Sequence, residues 1–441
     1  MMKIRIFYLS VLIFLALSPA KGQKVYGLKD CISIGLEKNF SILIARNNET
    51  ISNNNYSPGN AGYLPSLDLS GRYGGTVTNT TQNAVAGGQT EVNGVNNTSG
   101  TAGLNLGWTI FNGFNVQTTY KKLNELKQLG TLNTQLSAEN LIAEIIAGYY
   151  NYIDQVEALR NAKYAATLSK ERLRIDEERY LLGASSKLQV LQSRVYLNAD
   201  SSSLSRQNQV VRNAEVRLNE LMALENLDTK FISQDTAIKV NPSLLYEKLL
   251  EETLSGNTSL NIASKSKTVS EFDYKLVVSR SYPYLNLTSG YTYNYNTYGT
   301  GSNKSQISNG MNYGLTLGLN IFDGFNQRRS IRNSSIELKN KELKYFEIEQ
   351  GIRADLLMIY NAYSNNLQLI RLEEQNLETA TENLDIALER YKLGSLSGLD
   401  LREVQMSLLD AKARLLAIQY QTKLAEISLK LISGSIMEYY Q

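Results

Sequence analysis

The chain is written twice, and this restricts its fold more than any other feature. Leu64-Pro65-Ser66-Leu67-Asp68-Leu69 returns 218 residues later as Tyr282-Pro283-Tyr284-Leu285-Asn286-Leu287. The run from Gly103 to Asn115, ending Ile110-Phe111-Asn112-Gly113-Phe114-Asn115, returns 211 residues later ending Ile321-Phe322-Asp323-Gly324-Phe325-Asn326. Arg179-Tyr180-Leu181-Leu182-Gly183 returns as Arg390-Tyr391-Lys392-Leu393-Gly394, again after 211. Self-similarity at a fixed period marks a repeated supersecondary unit. The repeats are placed at 23–230 and 231–441, forming one intertwined domain. The offset changes only across 75–102 and 296–313, both rich in Gly, Asn, Ser and Thr, which predicts that the extra residues sit in a loop.

Each copy carries two stretches of strand periodicity, near 64–74 and 101–111 in the first and 283–295 and 313–322 in the second. Leu67, Leu69 and Tyr73 alternate with Ser66, Asp68, Ser70 and Arg72. Leu315, Leu317, Leu319 and Ile321 alternate with Gly314, Thr316, Gly318 and Asn320. A period of two with one apolar face is a strand signature, and segments near ten residues suit a transmembrane β-strand as well as a sandwich. The polar face of Gly, Asn, Thr and Ser favours a wet lumen over a second sheet. Phe111, Phe114, Phe322 and Phe325 at the strand ends fit an aromatic belt.

The remainder is read as helix: 28–56, 114–182 and 187–224 in the first copy, 244–280, 325–393 and 399–433 in the second. Ile142, Ile146, Tyr149, Ile153 and Val156, like Leu356, Tyr360, Tyr363, Leu367 and Ile370, follow the spacing of a coiled-coil seam. Gly183 and Gly394 mark tight turns between paired helices. Only five prolines occur, and none falls within 66–241 or after 283, so the long helices meet no breaker.

Composition removes whole classes of chemistry. Histidine is absent, which excludes a Ser-His-Asp triad and imidazole metal ligation. The single cysteine, Cys31, allows no internal disulfide and reads as a small core residue, with lipid attachment as the alternative. Adjacent acids such as Glu177-Glu178 and Glu373-Glu374 do not face each other on a helix. No enzyme, cofactor or metal site is expected. Residues 1–22 have the three-part form of a secretory signal: Lys3 and Arg5, an apolar run over 6–17, then small residues. Removing them leaves 42 basic and 42 acidic residues, a neutral chain with no signature of nucleic-acid binding.

Four strands cannot close a membrane barrel, whose smallest form has about eight. Chains must pool strands, and a conducting pore favours three or more copies, because an eight-stranded interior is filled by side chains. The helices, with stripes too narrow for a compact core, would pack side by side as a second tube. A secreted trimeric coiled-coil adhesin is the rival reading; it predicts no paired strands with glycine-lined faces.

The duplicated order, the Leu-Pro-x-Leu strand entries, the Ile-Phe-Asn/Asp-Gly-Phe junctions and the Arg-Tyr-x-x-Gly turns together resemble the TolC family of outer-membrane efflux proteins. The resemblance covers essentially the whole mature chain. It implies a mixed α and β membrane protein: a homotrimer with a 12-stranded outer-membrane β-barrel, four strands per chain, continued by a periplasmic α-helical barrel. It implies partners as well: a periplasmic adaptor, an inner-membrane pump of RND, ABC or MFS type, and outer-membrane lipid. Asp400 and Glu403 match pore-narrowing acids, with Gln189 and Gln192 at the same places in the first copy. Tyr391 matches a gate tyrosine whose expected acidic partner is replaced by Gln189. Leu396 stands where a gating base is often found, so the latch is expected to lack charged pairs. Gly183, Ala184, Ser185, Gly394, Ser395 and Leu396 are the expected adaptor contacts.

Overall fold

The computed structural model describes residues 25–440, so the secretory-signal reading of 1–22 lies outside the described residues. The chain divides into two compact units, and each takes pieces of both repeats. One comprises residues up to 46, 134–259 and 349 onward; the other comprises 47–133 and 260–348.

The second unit holds the sheet. Strands β2 (Ser66–Asn83), β3 (Gln89–Asn112), β5 (Tyr284–Thr297) and β6 (Ser305–Gly318) are ordered β2-β3-β5-β6 and antiparallel throughout. The register sorts side chains as the alternation predicts. Leu69 faces Leu104, Leu104 faces Tyr291, and Tyr291 faces Met311, so all four share one face. On the other face Ser70 opposes Gly103, Gly103 opposes Thr292, and Thr292 opposes Gly310. The apolar face is bare: Leu69 is 82% exposed, Tyr313 83% and Leu317 74%. A contiguous uncovered apolar face of this extent marks a surface that meets lipid or another chain. Paired strands with a glycine-lined face also remove the adhesin reading.

Two strand boundaries differ from expectation. The first hairpin is not a long loop: β2 and β3 stay paired from Ser66↔Gly107 out to Asn83↔Gln89, past the point where β5 ends opposite Thr98. Alternating Thr and Val residues (Thr76, Val77, Thr78) favour extended backbone, and the cross-strand ladder satisfies the polar stretch that composition alone assigns to a loop. At the other end β6 stops at Gly318, so Leu319 and Ile321 lie beyond the ladder.

The first unit is helical. Its main members are α1 (Leu28–Lys38), α4 (Asn115–Leu181, from residue 134), α5 (Lys187–Leu221), α6 (Tyr246–Gly256), α8 (Asn326–Lys392, from residue 349) and α9 (Gly398–Ile432). Strands β1 (Val25–Tyr26) and β4 (Ile232–Ser233) pair in parallel beside them. The expected seam residues Ile142, Ile146, Tyr149 and Ile153 are buried, as are Leu356 and Tyr363. The first seam is broader than a coiled coil, however. Leu141, Ile145, Tyr150 and Tyr152 are also buried, packed with Cys31, Ile32, Leu218, Met222 and Phe231. Helix α1 and the segment around Phe231 cover faces that a two-helix seam leaves open, so this unit has a compact apolar core. Cys31 is fully buried within it.

The helices expected at 28–56 and 244–280 are each broken once. Asn39 separates α1 from α2 (Phe40–Asn55), and Asn257 separates α6 from α7 (Thr258–Ser279). Both asparagines have extended backbone, at ψ 129° and 119°. Their amides donate to the carbonyls of Leu221 at 2.9 Å and Ile432 at 2.8 Å, which end α5 and α9. The duplicated asparagine thus exchanges helical continuity for capping a neighbour's orphan carbonyl.

Candidate aperture and tip site

The two tight turns have the same hydrogen bonding. Gly183 N donates to Tyr180 O at 3.0 Å and Ala184 N to Arg179 O at 2.8 Å; Gly394 N donates to Tyr391 O at 3.0 Å and Ser395 N to Arg390 O at 2.9 Å. This is the Schellman arrangement, which needs a left-handed residue at its corner. Gly183 and Gly394 supply it at φ 74° and 80°. Ser186 and Ser397 then cap the next helices by accepting from Gln189 N and Asp400 N. Around these small residues Leu181, Leu182, Leu188, Leu393 and Leu399 are exposed, each by more than 60%. Leu396 is only partly exposed, packed against the apolar cluster of Leu384, Leu401 and Leu408.

Asp400 and Glu403 are exposed on the first turns of α9, three residues apart and therefore on one face. The Asp400 carboxylate accepts from the Ser397 hydroxyl at 2.7 Å. Gln189 and Gln192 are exposed on α5. Gln189 Oε1 accepts from Ser185 Oγ at 2.5 Å, and Gln192 Nε2 donates to the Tyr196 hydroxyl at 3.1 Å. Neither glutamine reaches Tyr391.

The partner of Tyr391 is acidic after all. Tyr391 is 1% exposed and its hydroxyl donates to Asp176 Oδ1. The other carboxylate oxygen accepts from Ser193, and Arg172 Nε stands 3.9 Å away, an ion pair too long for a hydrogen bond. One step further, Arg402 grips Asp200 through both guanidinium nitrogens at 2.8 and 2.9 Å, and Asp200 also accepts from Ser169. Tyr196 lies between the two bases, its ring 4.9 Å from Arg172 and 5.1 Å from Arg402. Arg179 covers the Tyr391 ring at 4.8 Å and donates to the carbonyls of Tyr391 and Lys392. Tyr391 therefore bonds not to Gln189 but to Asp176 on α4, thirteen residues earlier in the chain, and charged pairs stand beside it, Arg172 with Asp176 and Arg402 of α9 with Asp200, while Leu396 packs in the apolar cluster.

Burial pushes the Tyr391 hydroxyl up to about 12, helped by the Asp176 carboxylate, while Arg172 and Arg179 pull it down. It therefore stays protonated, and a donor, at any physiological pH. Within the first copy, Ser169, Asp176, Ser193 and Asp200 are all at least nine-tenths buried. Their counterparts 211 residues on are Ala380, Ala387, Val404 and Ala411. Polar residues at helix positions where the sister copy is small or apolar are the signal in the sequence that marks this buried network.

The aromatic residues gather at the strand-to-helix junctions. The rings of Phe111 and Phe114 meet edge-to-face at 5.3 Å, as do those of Phe322 and Phe325. Gly113-Phe114 and Gly324-Phe325 are both left-handed pairs, at φ 64° and 66° and φ 69° and 64°.

Comparison with known proteins accords with this geometry. The family model described as outer membrane efflux protein matches residues 31–224 and 249–435, one segment per repeat. The outer membrane protein TolC of Vibrio cholerae is 24% identical over 318 residues, covering 68% of this chain and 69% of that one. Among solved structures, VceC of Vibrio cholerae superposes with a TM-score of 0.72 at 16% identity, covering 92% of this chain and 96% of its own. The CmeC outer membrane channel of Campylobacter jejuni gives 0.74 at 17% identity, covering 92% and 85%. The open-state MtrE channel of Neisseria gonorrhoeae gives 0.67 at 18% identity, covering 94% and 90%. With both repeats matched and the same strand and helix order in each, the chain belongs to the outer membrane efflux protein family, channels of the outer membrane with a periplasmic helical portion and no enzymatic activity.

Proposed function

We propose that three copies of this chain form the exit duct of a tripartite efflux or type I secretion system, passing cargo from an inner-membrane pump through a periplasmic adaptor to the exterior. The observation that carries the reading is the sheet: four strands, one largely exposed apolar face, and two outer strands, β2 and β6, each with an unpaired edge among the described residues. In lipid no backbone amide can stay unpaired, so β6 of one copy must meet β2 of the next. Three copies bring twelve strands, with the Gly/Asn/Thr/Ser face inward.

At the other end, threefold symmetry would stack Asp400 and Glu403 into acidic rings that favour cations and oppose anions. The hydrogen bond from Tyr391 to Asp176 and the Arg402–Asp200 pair would hold the helix pairs in a closed arrangement. The exposed leucines beside Gly183, Ala184, Ser185, Gly394, Ser395 and Leu396 suit a helical-hairpin adaptor: small residues permit close approach, and the leucines supply the apolar contact. Purification in detergent should give a heat-modifiable trimer that conducts in planar bilayers, and crosslinkers placed at residues 185 and 395 should capture an adaptor protein. A monomer that dissolves without detergent would end the reading.

A further inference from the structure

We propose that the second strand-to-helix junction is a binding site for the phosphodiester headgroup of an anionic membrane lipid, held by Arg280 and Arg328. The inference rests on the reading that the sheet spans the outer membrane. Arg280, Asn320, Asp323 and Arg328 line a cavity of about 410 Å³ together with Phe322 and Phe325. Its apolar rim is left uncovered by this chain: Ile321 is 92% exposed, Phe322 71% and Phe325 61%. Guanidinium groups beside exposed aromatic and branched side chains are what a headgroup and the start of an acyl chain require together.

The charges in this cavity are not balanced from within the chain. Asp323 is committed to the helix it precedes: its Oδ2 accepts from Gln327 N at 2.7 Å. Among the described residues no carboxylate lies within ion-pair distance of Arg280 or Arg328. Arg328 lies over the Phe325 ring at 5.5 Å, a contact that orients the side chain without neutralising it. Arg332 follows one turn later on the same face of α8, and like charges at that spacing repel. The start of α8 already has the Asp323 carboxylate as its cap, so the charge left unbalanced is that of the arginines. An external anion would relieve their mutual repulsion.

The duplication supplies an internal control. The first junction makes the same turn, with the same left-handed Gly-Phe pair, the same ring contact and the same cap, Asn112 Oδ1 accepting from Val116 N at 3.2 Å. Yet the counterparts of Arg280 and Arg328 are Gly62 and Gln117. The arginines are therefore not needed to build the turn. A bilayer is favoured over a soluble phosphate because the cavity continues into the exposed Ile321 and Phe322, which a small hydrated anion would leave bare.

The test uses the full chain in neutral detergent, with phosphatidylglycerol or phosphatidylcholine added and bound lipid counted by native mass spectrometry. Phosphatidylglycerol should be preferred. The preference should fall about fivefold for each arginine removed, in Arg328→Gln and again in Arg280→Gln/Arg328→Gln, which is the usual worth of one basic side chain at an anionic surface. The Gln117→Ala control in the first junction should change nothing, and millimolar inorganic phosphate should compete poorly. Equal retention of both lipids by the unmodified protein overturns the proposal without any variant. Unchanged preference in the double variant also overturns it, and efficient displacement by phosphate assigns the site to a soluble anion instead. Trimer formation and bilayer conductance read on the same samples report separately on the channel reading: conducting trimers without lipid preference reject only the site.

Discussion

Tyr391→Phe removes one oxygen and leaves the ring. The lost hydroxyl donates to a carboxylate that is 2% exposed, and a hydrogen bond to a buried charge is worth about 1.5–3 kcal/mol. The ring keeps its contacts with Leu384, Leu401 and the Arg179 guanidinium, so little packing is lost. Asp176 retains Ser193 and Arg172, which limits the penalty to the lower half of that range, about 2 kcal/mol. If the bond exists only in the closed arrangement, about 2 kcal/mol moves each copy's closed-to-open ratio roughly thirtyfold. Single-channel recording in planar bilayers should then show larger conductance and rarer closures, with unfolding in detergent made easier by no more than the same amount, about 2 kcal/mol per copy. Asp176→Asn should open the channel too. It also strips Arg172, whose Nε and Nη1 lack hydrogen-bond partners, of its nearest carboxylate, so this variant should melt earlier. In the double variant the gating effects should not add, because both single changes remove the same bond. Unaltered conductance in Tyr391→Phe with a lowered melting temperature would refute the argument, making the bond a fold contact and not a latch.

Asp400→Asn/Glu403→Gln should lower cation selectivity, read as a smaller reversal potential across a salt gradient; an unchanged potential would place these acids away from the pore. In the core, Glu426 and Lys423 are both 4% exposed and paired at 2.8 Å, with Asn241 N and the Tyr439 hydroxyl also donating to Glu426. Glu426→Gln strands the ammonium and should cost about 3–5 kcal/mol in denaturant unfolding, while Lys423→Met/Glu426→Leu should recover most of it. Desolvation raises the Asp154 carboxyl to about 6. The folded state then holds that proton more tightly than the unfolded chain, so stability is fullest below about pH 4 and falls as pH rises through 6. Asp154→Asn should therefore raise the melting temperature at pH 8 and not at pH 4. The gain should be about 1 kcal/mol, since water at the partly exposed side chain screens the roughly 3 kcal/mol of full burial.

The repeat, the four strands and their faces, the long helices and the glycine turns were legible in the chain because each depends on neighbours within a few residues. Alternation sets a strand face, and Gly with a following Ser sets a turn and a cap, whatever lies elsewhere. The breaks at Asn39 and Asn257 were not legible, because an asparagine interrupts a helix only when a carbonyl from another helix end stands within reach. The extended β2–β3 ribbon was missed for a related reason: Thr, Asn and Gly suit a loop until a partner strand fills their hydrogen bonds. The surroundings of Tyr391 show the limit most clearly. Tyr391 was found from its turn, but Asp176 stands 215 residues earlier, and Arg402 meets Asp200 across 202 residues. Which acid meets which base is decided by how α4, α5, α8 and α9 lie side by side, since charge pairing needs atoms within about 4 Å and spacing along the chain carries no record of that distance.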